Sequence, residues 1–472
     1  MRKNIYIIML TVLTALASCS DWLDIQPSDR ITEENNFSSV SGFEKALNGI
    51  YVELNQSSIY GKEMTCGFVE VLAQRYAVAD INKVVKEYMN FKYAGTETKG
   101  IISNIWSKEY ALISNVNCLL KNCEEHRDVL SERDYNLIKG EALALRAFLH
   151  LDLFRLFGPI YDPDKPALSI PYYTVYSLDV SPKLSSADYM KQLEADLLES
   201  ESLLAKSDPI LRYGVSGDPQ NDFWQARNLR LNYYAVQGLM ARAYYYMHND
   251  TEAFNHAMNV VEVHEKTFPW ITPMKITSSN PDRVFSSEIM FSAQNLERNS
   301  IFAGNFDGNN LKMTTLLAPR TDVVNYLFDN EKVDYRYIAW LKNSVENSGT
   351  SYSIFNKYQS QSSDSLYNQM IPLIKVSESY LIATECSTDY YESLRIYNIL
   401  RNHRGLLSKA VMYQEDIDAE WIREFWGEGQ LFFYYKRNNK ESIKDATSQY
   451  GTRSINANNY VMPLPEGETK YN

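Results

Sequence analysis

Residues 135–159 read YNLIKGEALALRAFLHLDLFRLFGP, and this stretch decides the fold class of the chain. Its apolar side chains recur at steps of three and four residues, which is the spacing of an α-helix. A second apolar set points the other way, so that apolar groups cover most of the circumference and the charges are confined to narrow strips. Such a helix must be covered on more than one face. The stretch therefore predicts the central helix of a helical domain, with Gly158 in the left-handed position after the last turn and Pro159 as its stop.

The segments around this helix predict a stack of helix pairs. A helix over residues 99–125 would lie antiparallel to the central helix, and residues 229–247 and 251–266 would form a further pair. Small and aromatic residues in this second pair fall close to the offsets of a tetratricopeptide repeat, and a pair beginning at residues 373–386 repeats them in part. Further helices are predicted at residues 43–54, 63–78 and 188–206, with an irregular, proline-rich connection at residues 161–182. Stacked helix pairs form solenoids, which mainly offer surfaces for holding other proteins.

Residues 267–370 differ in character from the helical segments on both sides. They are rich in Ser, Asn, Gly and aromatic residues, with a strand predicted at residues 288–293. The segment is too long for a linker within a compact domain. We expect a lobe of loops, short strands and helices, and loops on a rigid scaffold are where binding sites concentrate.

The composition excludes one class of partner. The chain has 47 Lys and Arg against 59 Asp and Glu, a net charge of −12, whereas nucleic-acid binding needs a basic surface. Tyrosine is abundant, with 35 residues. Because tyrosine joins an apolar face to a polar tip, these residues suit either wet binding surfaces or contacts between helices.

The N-terminus predicts export and a lipid anchor. Arg2 and Lys3 precede an apolar run over residues 5–16, which is too short to span a hydrocarbon core of ~30 Å but fits a secretion signal. The run ends in LASC at Cys19, and this resembles a bacterial lipobox, with cleavage after residue 18 and lipid on the cysteine. Acidic residues directly after it resemble export tags of surface lipoproteins. The alternative is an ordinary signal peptide with an incidental cysteine.

The remaining cysteines do not form a recognisable framework. Their spacing fits neither a disulfide scaffold nor a zinc site, so we expect buried or half-buried free thiols with at most one bridge. These residues are Cys66, Cys118, Cys123 and Cys386.

The search for catalytic motifs finds none. The sequence contains no GxSxG, HExxH, GxxxxGK[ST] or GxGxxG pattern. His256 and His264 could share a helix face, but two ligands do not make a zinc site, and residues 307–310 lack most of a calcium loop. Acidic pairs such as Asp416 and Asp418 are expected to be solvated. We therefore expect no enzyme, no metal and no cofactor.

Several blocks, in this order along nearly the whole chain, resemble the SusD/RagB family of surface nutrient-binding lipoproteins. They are the lipobox followed by DWLDIQP (21–27) and GFEKALNGIY (42–51), GEALALRAFLHLDLFRLFG (140–158), AVQGLMARAYYYM (235–247), PLIKVSESYLIATE (372–385) with YNILRNHRGL (397–406), and REFWGEG (423–429) with PLP (463–465). The chain departs from the family pattern at Gln430, where family members often have arginine, and over residues 432–435. This puts the usual charge network near the C-terminal helix in doubt.

The resemblance implies a mainly α fold, an array of tetratricopeptide-like helix pairs with an irregular binding lobe. It also implies a protein lipid-anchored in the outer membrane and facing the cell surface. Such a protein captures glycans, or in some cases peptides, for a partner SusC-like TonB-dependent outer-membrane barrel. The expected divisions are a signal peptide at 1–18, a lead at 19–40, a helical region at 41–266, the lobe at 267–370 and a second helical region at 371–472.

A glycan binder needs aromatic faces for the C–H side of a sugar and amides or charged groups for its hydroxyls, and a few contacts carry most of the affinity. The candidates are loop residues of these types, each of which could instead pack beneath a loop: Arg75, Tyr76, Tyr93, Trp270, Phe306 and Asn309. The tryptophans at positions 106, 421 and 426 lie in helical patterns and are assigned to packing. Four charged residues of the central helix should pair with neighbouring helices, because burying them alone is costly: Glu141, Arg146, Asp152 and Arg155.

Two other functions stay open. A lipid-anchored scaffold for protein assembly would have a lobe without a lined cleft. A polysaccharide hydrolase would have two closely spaced carboxylates in a pocket.

Overall fold

A computed structural model describes residues 33–78, 82–308, 315–329, 332–347, 349–360 and 365–470. The signal segment and Cys19 lie outside these ranges. Within them α-helices predominate, and the strands form two-stranded antiparallel sheets. The predicted fold class, a mainly α array of helix pairs with an irregular lobe, is confirmed.

The N-terminal elements are helices of 4 to 14 residues. They are α1 (Glu33–Asn36), α2 (Val40–Glu53), α3 (Phe68–Leu72) and α4 (Lys83–Met89). The prediction of one helix over residues 63–78 is wrong, because only α3 is helical there. The chain leaves the helical conformation at Gln74, whose φ of 59° is left-handed and whose side-chain amide donates to the carbonyl of Met89 at 2.7 Å.

The central helix pair consists of α5 (Thr96–Glu125) and α6 (Glu132–Phe157). Every residue of α6 from Asn136 onward is buried except Lys139, which confirms the prediction of a helix covered on more than one face. The prediction of a left-handed Gly158 is wrong, since its φ is −75° and its ψ 166°. Glycine is required there by a close approach, because a Cβ would lie 2.7 Å from the carbonyl oxygen of Phe154.

The array continues through the proline-rich connection, which carries short extended pieces as predicted. Its elements are β1 (Leu168–Pro171), β2 (Lys183–Ser185), α7 (Ser186–Ser207), α8 (Ile210–Tyr213), α9 (Tyr233–Tyr246), α10 (Asp250–Val261) and α11 (His264–Thr267). Helix α7 packs on α6, and α9 packs on α10. These helices confirm the predicted elements, with ends shifted by a few residues.

The lobe mixes short helices and strands. Its elements are α12 (Pro273–Thr277), β3 (Ile289–Gln294), α13 (Arg298–Asn305), α14 (Thr321–Leu327), α15 (Tyr335–Trp340), β4 (Leu341–Asn347), β5 (Thr350–Phe355) and β6 (Met370–Lys375). Strand β3 pairs antiparallel with β6, from Ile289 opposite Lys375 to Gln294 opposite Met370, and so ties the two ends of the lobe together. The predicted strand is confirmed with a shift of one residue.

The C-terminal region returns to helices. Its elements are α16 (Val376–Cys386), α17 (Tyr390–Asn402), α18 (Gln414–Glu424), α19 (Leu431–Arg437), β7 (Ser442–Lys444), β8 (Thr452–Ser454) and α20 (Glu466–Lys470). The helix predicted to begin at Leu373 begins at Val376, because the preceding buried run is strand β6. A short apolar run of this kind cannot be assigned to helix or strand from its periodicity. Helix α16 packs on both α10 and α17, which makes the array continuous.

The buried charges of α6 find partners. Glu141 lies 2.6 Å from Arg227, and Arg146 binds Asp196 through two hydrogen bonds of 2.6 and 2.7 Å, so these two predictions of pairing with other segments are confirmed. Asp152 and Arg155 instead pair with each other within α6. Each has one further partner from outside the helix: Tyr60, which donates to Asp152 at 2.8 Å, and Gln430, which accepts from Arg155 at 2.9 Å.

The thiols and tryptophans take the structural roles predicted for them. Within the described ranges the four cysteines at positions 66, 118, 123 and 386 form no disulfide, and three of them are buried. The tryptophans at positions 106, 421 and 426 are buried as well.

His256 and His264 are both hydrogen-bonded within the protein and lie on different helices. His256 lies on α10 and contacts Gln237, whereas His264 begins α11 and contacts Phe268 and Tyr380, so the two do not share a helix face. In the part of the chain that the structure describes, no group of three His, Cys, Asp or Glu side chains could hold a metal ion. None of the helices described is both long and apolar enough to cross a membrane.

Candidate functional site

A cleft of about 370 Å³ opens between the lobe and the C-terminal region, and we call it the tyrosine cleft. Its walls come from α14, α18 and the β7–β8 hairpin. The ring of Tyr326, on α14, is 41% exposed and contacts the ring of Tyr450 edge-to-face, at 5.1 Å between centroids. Tyr450, in the hairpin turn, is 72% exposed. Tyr326 therefore lines the cleft, and the exposed ring of Tyr450 adjoins it.

Charged side chains line the cleft beside these rings. Lys444 lies with its amine 5.5 Å from the centre of the Tyr326 ring, and Asp418 on α18 forms an ion pair of 2.7 Å with Lys440. Asp416 pairs with Lys409. Burial works against the charge of Asp416, but hydrogen bonds from Lys409 and a backbone N–H outweigh it and lower the pKa of this carboxyl. An ionised carboxylate accepts hydrogen bonds and cannot donate a proton.

The prediction that Asp416 and Asp418 are simply solvated is therefore wrong. Both side chains are half-buried and form ion pairs. Sequence alone could not identify the lysines that pair with them, because Lys440 belongs to a different segment of the chain from Asp418.

Three arginines hold the walls of the cleft by donating to backbone carbonyls. Arg75 donates to the carbonyl of Lys444 at 3.3 Å, and Arg320 donates to that of Thr447 at 2.7 Å. Arg423 donates twice to the carbonyl of Leu327, at 2.6 and 2.8 Å. These bonds fix the hairpin to the N-terminal region and to the lobe, and fix α14 to α18. A site whose supporting side chains are fixed in this way is preorganised for binding.

Of the residues predicted from sequence, Arg75 is the one that lines this cleft. Its side chain is almost completely buried, so that it supports the wall through Lys444 and through a second bond of 3.1 Å to the carbonyl of Ala73. A direct hydrogen bond from Arg75 to a ligand stays a prediction.

Tyr76 and Phe306 are brought together, but in the interior. Both are fully buried, with 5.7 Å between ring centroids, and both pack on Phe355. In this conformation their rings face other side chains, which is the packing alternative raised for them. Through this aromatic cluster the lobe packs against Tyr76 of the N-terminal region.

The other predicted residues lie elsewhere. Trp270 is buried and stacks on His403 with 4.8 Å between centroids, and the hydroxyl of Tyr93 donates to the carbonyl of Asn459 at 2.6 Å. Asn309 and the lipidation site Cys19 lie outside the described residues. The ligand-binding and lipidation roles assigned to these positions stay predictions.

Sequence reasoning missed the two exposed rings of the cleft. Tyr450 satisfies the criterion used for the other candidates, since it lies in a loop and is flanked by Gln449 and Gly451. Tyr326 carries no such signal, because it belongs to the short helix α14 and resembles a core residue in a helical pattern. To recognise either tyrosine from sequence, one would need to know which segments meet at the cleft.

Comparison with solved structures defines the class of fold. A SusD superfamily protein from Bacteroides thetaiotaomicron superposes with a TM-score of 0.72 at 22% identity, covering 92% of this chain and 98% of that one. Surface glycan-binding protein A from the same organism gives a TM-score of 0.67 at 16% identity, with the same coverage. The chain therefore has the SusD fold.

Comparison of sequences finds relatives over the N-terminal part of the chain. Residues 21–211 match a SusD-like family model described as starch-binding associating with outer membrane. SusD-like protein P2 of Formosa agariphila is 27% identical over 200 residues, which are 41% of this chain and 37% of that protein. The match thus spans little more than a third of the length of this curated relative. Residues 21–211 are thus similar to the SusD-like family.

Proposed function

We propose that the protein is a lipid-anchored outer-membrane receptor that binds glycans at the tyrosine cleft and passes them to a partner TonB-dependent barrel. The observation that carries this proposal is the pair of exposed tyrosine rings beside ionised carboxylates and lysines. Aromatic faces suit the C–H side of a sugar ring, and the charged groups suit its hydroxyls. We retain residues 267–370 as the binding lobe, because Tyr326 belongs to it.

The proposal on location and partner rests on the lipobox at Cys19 and on the family. The family description associates these proteins with the outer membrane. An acylated cysteine would hold the chain there, since each buried CH₂ contributes ~0.8 kcal/mol. A Cys19→Ala variant is expected to leave the membrane fraction, and co-purification with a barrel protein from the wild-type membrane would support the partner.

Two carboxylates of the cleft are suited to accept hydrogen bonds and not to donate a proton. A glycosidase needs one carboxyl whose pKa is raised, so that it can donate a proton to the leaving oxygen. In the tyrosine cleft the pKa of Asp416 is lowered, and so is that of Asp445, where hydrogen bonds from Thr447 outweigh the opposing effect of burial. Each of these carboxylates is suited to accept hydrogen bonds from hydroxyl groups.

The test is isothermal titration of the full chain, extracted in a detergent without a sugar headgroup, against panels of glycans and peptides. Tyr326→Ala and Tyr450→Ala are each expected to weaken glycan binding by about tenfold, since stacking on such a ring is worth about 1–1.5 kcal/mol. Tyr391→Ala is the matched control, because this tyrosine is 80% exposed and does not line the cleft.

The outcomes separate the possible functions. Glycan binding that is lost in the cleft variants and retained in the control supports the proposal. Binding of peptides alone would support the receptor function, with peptides in place of glycans as the ligand. Release of shorter sugars would identify a hydrolase, and no binding across both panels would favour a scaffold for protein assembly.

A further inference from the structure

A second and larger cavity, of about 860 Å³, lies on the helical array, and we call it the amide groove. One wall is the exposed side of α2, the opposite wall is the segment 222–230, and one end is closed by residues 294–297 after β3. None of the residues that line it also lines the tyrosine cleft. The volume lies within the ~300–1,000 Å³ typical of small-ligand sites.

Six side-chain amides contribute to the polar lining of this groove. They come from all three walls: Asn48, Asn55, Gln56, Gln225, Gln294 and Asn295. A carboxamide offers a donor and an acceptor in one plane. A sugar hydroxyl is likewise both donor and acceptor, so adjacent hydroxyls can bond to both ends of one amide.

Several of these amides are held by the protein through one end only. Asn48 is an exposed residue whose amide oxygen accepts from Arg230 at 3.4 Å. Gln225 donates to Asp222 at 3.1 Å, and Gln294 donates to Gln369 at 2.8 Å. Each amide is thus oriented while its other end can bond to a ligand.

An aromatic ring is fixed in the wall beside the amides. Phe223 is half-buried and lies on the guanidinium of Arg230, 4.1 Å from the ring centre, while the ring of Tyr51 lies 5.2 Å from the same guanidinium. Arg230 is itself almost completely buried. This stacking holds Phe223 in a defined orientation at the edge of the groove.

The charges that line the groove select against anions. Four carboxylates face two cations, which gives 2 − 4 = −2 when all are ionised: Glu44, Glu53, Asp222 and Glu297 against Lys45 and Arg230. Like charges at a binding surface repel a ligand and so contribute specificity. The groove therefore suits a hydroxyl-rich ligand without negative charge.

We infer that the amide groove is a second glycan-binding site, which takes an uncharged oligosaccharide segment. This inference rests on the proposed function and extends it, because the chain would then hold glycan at two separate places. The hydroxyls of the ligand bond to the oriented amides, and one sugar ring packs on Phe223.

The experiment is titration of the detergent-purified full chain with uncharged malto-, xylo-, manno- and cello-oligosaccharides and with an oligogalacturonate of equal length. Asn48→Ala and Gln225→Ala are each expected to weaken one of two binding events about fivefold, the effect of losing one neutral hydrogen bond. Phe223→Ala is a further variant, and circular dichroism verifies its folding. Asn458→Ala is the matched control, since it removes an exposed amide outside the groove.

Two binding events for an uncharged oligosaccharide, one reduced by the groove variants and the other by Tyr326→Ala, would support the inference, as would binding of oligogalacturonate at least about tenfold weaker at the groove. A single event that responds to Tyr326→Ala alone would overturn the inference and leave the proposed function standing. Absence of binding to every glycan would overturn both.

Discussion

The buried side chain of Arg404 joins three parts of the chain, and its removal is expected to destabilise the whole fold. Arg404 follows α17, Glu288 precedes β3, and Glu424 ends α18. The guanidinium donates to Glu288 at 2.6 and 3.0 Å and to Glu424 at 2.8 and 2.9 Å. All three side chains are 0% exposed.

The magnitude follows from what is left behind when Arg404 is replaced by methionine. Removing one partner of a buried ion pair costs about 3–5 kcal/mol, because the remaining charge is desolvated without compensation. Glu424 retains Lys375 at 3.0 Å, whereas Glu288 retains the backbone N–H of Ile271 at 2.9 Å. The loss therefore falls mainly on Glu288, and we expect the free energy of unfolding to drop by about 3 kcal/mol.

Urea unfolding followed by circular dichroism measures this loss. Arg395→Met is the matched control, because Arg395 is exposed and its pair with Glu392, at 2.6 Å, is a surface ion pair worth about 0–1 kcal/mol. Arg404→Lys, which keeps the charge but cannot reproduce the bidentate bonds to both carboxylates, is expected to fall between the two. A loss for Arg404→Met no larger than that of the control would refute the reasoning.

Three further predictions concern stability and reactivity. Gly429 has a φ of +72°, and a Cβ there would lie 2.0 Å from the carbonyl oxygen of Met64, so Gly429→Ala should cost more than about 1 kcal/mol in urea unfolding, whereas Gly100→Ala, in open space within α5, should stabilise by about 0.5–1 kcal/mol. Equal effects of the two would contradict this. Burial raises the pKa of Glu70 to about 7 from 4.5, so that the folded state binds this proton more tightly and stability falls by about 3 kcal/mol as the pH rises between these values. Glu70→Gln should remove that part of the pH dependence of the urea midpoint, and an unchanged slope would count against it. Burial also raises the pKa of the Cys66 thiol to about 12, so in a variant with Cys118, Cys123 and Cys386 replaced by serine a chromogenic disulfide reagent should modify Cys66 only after unfolding, and its rapid modification in the native variant would disprove the assignment.

The central helix could be predicted from sequence because burial on all sides leaves a dense apolar pattern. The predicted stretch, residues 135–159, agrees with the ends of helix α6 to within a few residues, and Pro159 was predicted as its stop. The segment 63–78 is just as buried, yet its apolar pattern does not distinguish a helix from a series of buried turns. The deciding feature there is the left-handed conformation at Gln74, for which the residue type gives no signal.

The candidate site could be predicted only in part, because side chain to backbone bonds between distant segments build it. Arg75 was recognised as polar and near a loop, but its partner is the carbonyl of Lys444, 369 positions later in the chain. Carbonyls are present at every residue, so sequence cannot show which one an arginine will meet. Tyr326 and Tyr450 come together by the same long-range packing.

The departure from the family pattern at Gln430 has a physical explanation in its neighbours. Arg155 uses its guanidinium to bond Asp152 and to donate to Gln430 at 2.9 Å, and Lys436 donates to the carbonyls of Arg155 and Gly158 at 2.8 and 2.7 Å. Burial, together with the nearby charge of Arg155, lowers the pKa of Lys436 well below its usual value. A third cation at position 430 would add to this unfavourable charge, since a buried cation needs a carboxylate of its own. A neutral amide oxygen instead accepts from Arg155 and adds no charge, so the network keeps its connection to the C-terminal region with a different side chain.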